Sequence, residues 1–188
     1  MDDKHIEQLR DQVWTTRTSR VNAEKRIMGK ESFAENINIY YSCLIVLYSI
    51  IPFVFPAKYI SIINLVLTVL LTISIVYIKS LKYKERARDY RKNYTDLQKL
   101  EFRLSHEIAD EELKSIENEY CDLLASAENH IPFDYYKTIM ESRGSFQTDH
   151  LSKTITRKYY WGCIWRILIK FCIVLLPLIL AIISFLVN

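Results

Sequence analysis

The sequence predicts an all-α membrane protein: an N-terminal helix, a transmembrane helical hairpin, a cytoplasmic helical bundle and a C-terminal third transmembrane helix. Three observations carry this reading. Charge is segregated: half of the 188 residues are hydrophobic, and 25 Lys and Arg nearly balance 22 Asp and Glu, yet long stretches hold no charge at all. Apolar residues between these stretches recur at steps of three and four, and no strand-like alternation occurs. Only 3 Gly and 4 Pro interrupt the pattern, so loops are short and a nucleotide-cradling Gly-rich turn is not expected. This distribution excludes a plain soluble globule, a disordered chain and a disulfide-stapled mini-protein.

The N-terminal arm, residues 1–36, has Ile6, Leu9 and Val13 at helical spacing and then a dense polar block, with Gly29 expected to end or kink its helix. Its charge excludes a cleaved signal peptide. The transmembrane hairpin follows at 37–78. Residues 37–55 and 59–78 are uncharged runs of 19 and 20 residues. At about 1.5 Å per residue they reach roughly 28 and 30 Å, the thickness of a hydrocarbon core. Only Pro56, Ala57 and Lys58 lie between them, which forces a tight turn. A third uncharged run, 171–187, ends an interfacial segment and third transmembrane helix at 159–188, with the span at about 164–187. Tyr159, Tyr160, Trp161 and Trp165 form an aromatic belt there, and Arg166 and Lys170, four apart, snorkel from one helical face.

Basic residues set the orientation. Seven Lys and Arg between Lys79 and Lys92 crowd the end of the second span, whereas the intervening turn offers only Lys58. Arg157 and Lys158 precede the third span, and Arg20, Lys25, Arg26 and Lys30 precede the first. The positive-inside rule then places the N-terminus and the central region in the cytoplasm and the C-terminus outside.

The cytoplasmic helical region, residues 79–158, carries two seams. Tyr83, Ala87, Tyr90, Tyr94, Leu97, Leu100, Leu104 and Ile108 continue helically out of the second span. Leu113, Ile116, Tyr120, Leu123 and Ala127 follow, with Asp110 placed to cap the new helix. The two segments form either an antiparallel pair or one bent helix. Pro132 breaks the pattern, residues 134–140 suit a short helix, and 141–145 read as a polar linker.

Catalytic chemistry finds no footing. No Ser, His or acidic residue sits in a nucleophile-elbow context, and the carboxylates interleave with Lys and Arg as on a solvated helix face. The four Cys and four His lack metal-ligand spacing and read as buried thiols and scattered imidazoles. The chain is therefore expected to be no enzyme and to need no cofactor or metal. Basic residues 79–92 serve membrane topology rather than direct nucleic-acid binding.

The most informative residues are polar ones inside the spans. Asn38, Ser42 and Ser49 share one face of the first, and Ser61, Asn64, Thr68 and Thr72 form a stripe on the second. Folding about Ala57 brings Ser42 level with Thr72 and Ser49 level with Asn64. Such stripes serve either interhelical hydrogen bonding, at about 1 kcal/mol per contact, or the wall of a pore assembled from several copies.

Three strings carry a resemblance: residues 13–26 before the hairpin, from Val13 and Trp14 to Lys25 and Arg26; residues 94–101, from Tyr94 to Glu101; and residues 120–130 with Asp134 and Tyr135 beyond. Together with the hairpin placement, the chain over about residues 8–185 resembles the SLATT family of two-transmembrane effector domains. That family stands beside SMODS nucleotidyltransferases and SLOG sensors, and the likeness is nearest to its reverse-transcriptase-associated branch. The resemblance implies a homo-oligomeric effector in the lipid bilayer that forms pores in an infected cell when a partner sensor triggers it. It also implies a cytoplasmic collar of Trp14, Arg17, Arg20, Asn22, Glu24 and Arg26, and a bundle end fixed by Glu128, Asn129 and His130. Polar packing between helices accounts for these nine residues equally well. The third span departs from a two-span pattern, so it either lines a lumen or rings the hairpin. The competing expectation is a membrane anchor or scaffold that recruits a reverse transcriptase or a nucleotide-signalling protein.

Overall fold

The computed structural model describes residues 3–54, 58–106, 110–142 and 153–187. They form α1 (Asp3–Val54), α2 (Lys58–Ser80), α3 (Tyr83–Arg103), α4 (Asp110–Ala125), α5 (Pro132–Glu141) and α6 (Lys153–Val187), with no strand among them. The expected turn residues Pro56 and Ala57, the seam residue Ile108 and the linker from Arg143 onward lie outside the described residues.

Three expectations are corrected. The arm and the first span are one helix of 52 residues, and Gly29 does not end it. A single Gly costs a helix only about 1 kcal/mol, which the good helix formers around it offset. The α3 seam does not continue directly out of the second span: the helix breaks at Leu81 and Lys82, where Lys82 takes a left-handed φ of 47°. Leu81 N–H and Lys82 N–H donate to Ile78 O and Lys79 O, so 3₁₀-type bonds close the last turn of α2. The cysteines are not buried: Cys43, Cys121 and Cys172 are exposed and Cys163 is half-buried.

The chain divides into two compact units, residues 1–28 with 84–161, and residues 29–83 with 162–188. The first of these divisions falls between Met28 and Gly29, inside α1.

In the first unit, the N-terminal half of α1 packs with α3 and α4 through Leu9, Val13, Leu97, Leu100, Leu104, Leu113, Ile116 and Tyr120. These include members of both predicted seams. Arg103 pairs with Glu119, and Asn93 donates to Leu123 O, so α3 and α4 run antiparallel, the first of the two arrangements left open by the sequence. Pro132 stands at the first turn of α5, where its missing N–H is no loss.

In the second unit, Leu44 and Tyr48 of α1 and Ile60 and Leu67 of α2 form the buried centre, with Ala181 of α6 packed on it. Helices in three places are long and apolar enough to cross a membrane, with mean hydropathy of 1.8, 2.4 and 2.8. Only 11% of each apolar window is buried within the chain, so Ile39, Val46, Leu65, Val69, Ile73 and many others point outward. An apolar surface of this extent needs a nonaqueous cover, and hydrocarbon supplies it.

Candidate functional site

The first unit is held by a polar core rather than an apolar one alone. Along α1, the heptad positions Ile6, Val13, Arg20 and Ile27 place a guanidinium where an apolar side chain would ordinarily sit. Arg20 is fully buried. Its Nη1 donates to Asn93 Oδ1 and, at 3.0 Å, to Leu123 O; its Nη2 donates to Leu124 O at 3.3 Å. Those carbonyls close the last turn of α4, where no helical N–H remains to meet them and the helix dipole is negative. Burial lowers the pKa of Arg20 from its ordinary value, and its hydrogen bonds among the described residues go to neutral oxygens. Asn93 Nδ2 donates to the same Leu123 O at 2.8 Å and to Ser126 Oγ at 3.1 Å.

The other collar residues fan out to different helices. Arg17 forms an ion pair with Glu101 of α3 at 2.6 Å. Glu24 accepts both Arg91 Nε and Nη2, at 2.8 and 2.5 Å. Arg26 grips Asp134 of α5 with Nε at 2.9 Å and Nη2 at 3.0 Å. Ile131 N–H donates to Asp134 Oδ2 at 3.2 Å, so this buried carboxylate caps the start of α5 while it pairs with Arg26. Asn22 Nδ2 donates to Thr138 Oγ1 at 3.1 Å and Glu141 Oε2 at 3.3 Å, and Ser19 Oγ lies 3.1 Å from the same Thr138 hydroxyl. Trp14 is half-buried on the same helix. The group is thus a set of bolts from α1 to α3, α4 and α5.

The predicted bundle end lies between α4 and α5. Arg86 of α3 grips Glu128 with Nε at 2.9 Å and Nη2 at 2.7 Å, and Tyr90 OH donates to Asn129 O at 3.0 Å. His130 is half-buried, and burial pushes its imidazole below the ordinary value. Sequence reasoning missed Asn93 and Thr138. The signal was present: Asn93 continues the α3 seam between Tyr90 and Leu97, and Thr138 is one helical turn beyond Asp134.

In the second unit the polar stripes divide into two kinds. Asn64 Nδ2 donates to Ser49 Oγ at 2.9 Å, joining α2 to α1 at one of the predicted levels. Ser42 and Thr72, the other predicted level, each turn back on their own helix: Ser42 Oγ donates to Asn38 O, and Thr72 Oγ1 to Thr68 O. Thr68 Oγ1 likewise donates to Asn64 O and Ser49 Oγ to Ile45 O. Asn38 is half-buried, while Ser42, Ser61, Thr68 and Thr72 are exposed. The hydroxyl donors of Ser42, Thr68 and Thr72 are satisfied without a partner helix, and their oxygens remain on the outer surface.

The third span is attached by a device the sequence reading did not find. Pro177 of α6 has no N–H to give Ile173 O, and Tyr41 OH of α1 donates to that carbonyl instead, at 2.8 Å. Tyr40 OH donates to Val174 O at 3.1 Å and Tyr48 OH to Pro177 O at 2.9 Å. Contacts rise along both helices, so α1 and α6 are parallel. The pairing of an in-span Pro with nearby Tyr hydroxyls was visible in composition, but nothing in the sequence says which carbonyl meets which phenol.

No curated protein and no solved structure matches the chain. A family model does: SMODS and SLOG-associating 2TM effector domain family 5, over residues 2–183, a range that takes in the polar core, the hairpin and most of α6. With all-helical architecture and apolar helices able to span a membrane, this chain belongs to the SMODS and SLOG-associating two-transmembrane effector family, SLATT.

Proposed function

We propose that the chain is a membrane effector of a bacterial anti-phage system that oligomerises in the inner membrane and opens a pore when a sensor protein signals. In this reading the N-terminus and the polar-cored unit are cytoplasmic, following the basic residues that flank the spans. The carrying observation is the outward edge of Ser42, Thr68 and Thr72, whose hydroxyls are bonded to their own backbone and still present oxygens to whatever lies outside. A single hairpin encloses nothing, so several copies must bring these edges around water. The effect is physical rather than catalytic. The triggering partner is a nucleotide-signalling sensor or a reverse transcriptase, bound by the cytoplasmic unit.

Purified protein in liposomes tests this: assembly should release a trapped ion, and replacing Asn64, Thr68 and Thr72 by Leu should stop the leak while membrane insertion persists. Liposomes that stay tight in every oligomeric state reject the pore. The Ser49–Asn64 bond favours a second reading, in which the stripes only pack the hairpin and the chain is an anchor or scaffold for its partner. Exchanging the spans for unrelated ones separates the two, because a scaffold keeps its activity and a pore loses it.

A further inference from the structure

The second unit contains an apolar cavity of about 370 Å³ walled by all three of its long helices. Phe33, Asn38 and Tyr41 of α1, Leu71 and Ser74 of α2, and Ile173 of α6 are among its lining residues. Along α1 it extends from Phe33 to Tyr41, about 12 Å at 1.5 Å per residue. Most of its lining belongs to the predicted spans, where the medium beside it is hydrocarbon, while Phe33 and Ala34 lie just before the first span. The mouth is not apolar. Lys170 Nζ sits 4.9 Å above the Phe33 ring and makes no ion pair among the described residues. Lys79 is exposed one residue beyond the cavity-lining Ile78. Glu31 and Glu35, which flank Phe33, already have interactions of their own. Asn38 lies about one and a half turns further in, with an amide able to donate to an ester carbonyl.

We infer that this cavity binds one acyl chain of an anionic phospholipid, whose phosphate is met by Lys170 and Lys79 at the mouth. An apolar slot with cations at one end matches the shape of such a lipid. The occupied slot would fill space between α1, α2 and α6 and so contribute to how the third span is seated. The inference rests on the bilayer reading of the three helices, not on the pore.

Native mass spectrometry of the full chain in detergent, titrated with phosphatidylglycerol or phosphatidylcholine, tests it. Wild type should hold one phosphatidylglycerol in preference to phosphatidylcholine. Lys170→Gln should reduce that preference about fivefold, the value of one cation near a lipid surface, while acyl binding persists. Ser74→Phe, which fills the slot, should abolish binding of both lipids; Ala34→Phe repeats the test from the α1 wall if the first variant aggregates. Equal uptake of the two lipids by wild type, or undiminished lipid on a folded slot-filling variant, overturns the inference. Liposomes that stay tight while the phosphatidylglycerol preference persists defeat the pore instead, so the two failures are distinguishable.

Discussion

Both units bury apolar side chains, but only the first also buries a network of charged and amide groups. The first hides Arg20, Asn22, Glu24, Asn93, Asp134 and Thr138, and binds its helices by side-chain hydrogen bonds across sequence separations of up to 119 residues. The second hides Leu44, Tyr48, Ile60 and Leu67, leaves Ser42, Thr68 and Thr72 on its surface, and satisfies those hydroxyls within a single helix turn. The medium accounts for the contrast. In water an exposed hydroxyl costs nothing, so the informative polar groups are buried ones that specify which helices meet. Beside hydrocarbon every donor needs a protein acceptor, and back-bonding to residue i−4 is the cheapest. A buried network therefore fixes one arrangement of the first unit, whereas the outer polar edge of the second remains available to other surfaces.

The comparison breaks first at Asp134. Removing it as Asp134→Ala strands Arg26, which is only 11% exposed, and uncaps α5; unfolding of the full chain in detergent should show a loss of about 3–5 kcal/mol. A loss near zero would mean the polar core is ornamental. In the second unit the largest single hydrogen-bond effect should be smaller. Tyr41→Phe leaves Ile173 O without its donor, at about 1 kcal/mol in a membrane setting. Pro177→Ala restores a backbone N–H, so Tyr41→Phe should cost less in that background; additive effects in the double-mutant cycle would disprove the substitution of phenol for amide.

Gly29 sits exposed inside α1 with open space where a Cβ would go, so Gly29→Ala should stabilise by about 0.5–1 kcal/mol. Destabilisation would show that α1 needs flexibility where the two units divide. Acid probes the first unit more gently. Burial depresses His130, Arg20 adds to this, and Asp134 opposes it. The folded state then binds fewer protons than the unfolded one, so stability is complete above the ordinary histidine value of 6.5 and declines as pH falls below it. His130→Gln should flatten that part of the thermal-midpoint profile. The smallest change is expected from Thr68→Val with Thr72→Val, within about 0.5 kcal/mol of wild type because each hydroxyl serves only its own helix. Ion leakage should nonetheless fall in that variant.

Much of this was legible in advance because periodicity and charge segregation are local properties. Val13, Leu97 and Ile116 show their burial in their spacing, and the spans show themselves by length. Asp134 at the head of α5 could be anticipated from Pro132 and the turn, but its grip on Arg26, 108 residues away, could not. Arg20, in register with Ile6 and Val13, was expected in a collar or in polar inter-helix packing, but the carbonyls of Leu123 and Leu124 that receive it lie more than 100 residues away.

The sequence alone determined that the chain is helical, where its apolar runs lie and which residues are able to face a core, since these follow from 3.6-residue periodicity and hydropathy. Only the tertiary structure decided that arm and first span form one helix, that Arg20 closes the end of α4, and that Tyr41 replaces the proline's missing donor. Each of these depends on a backbone group left unsatisfied in one helix meeting a side chain from another, and no local pattern encodes that encounter.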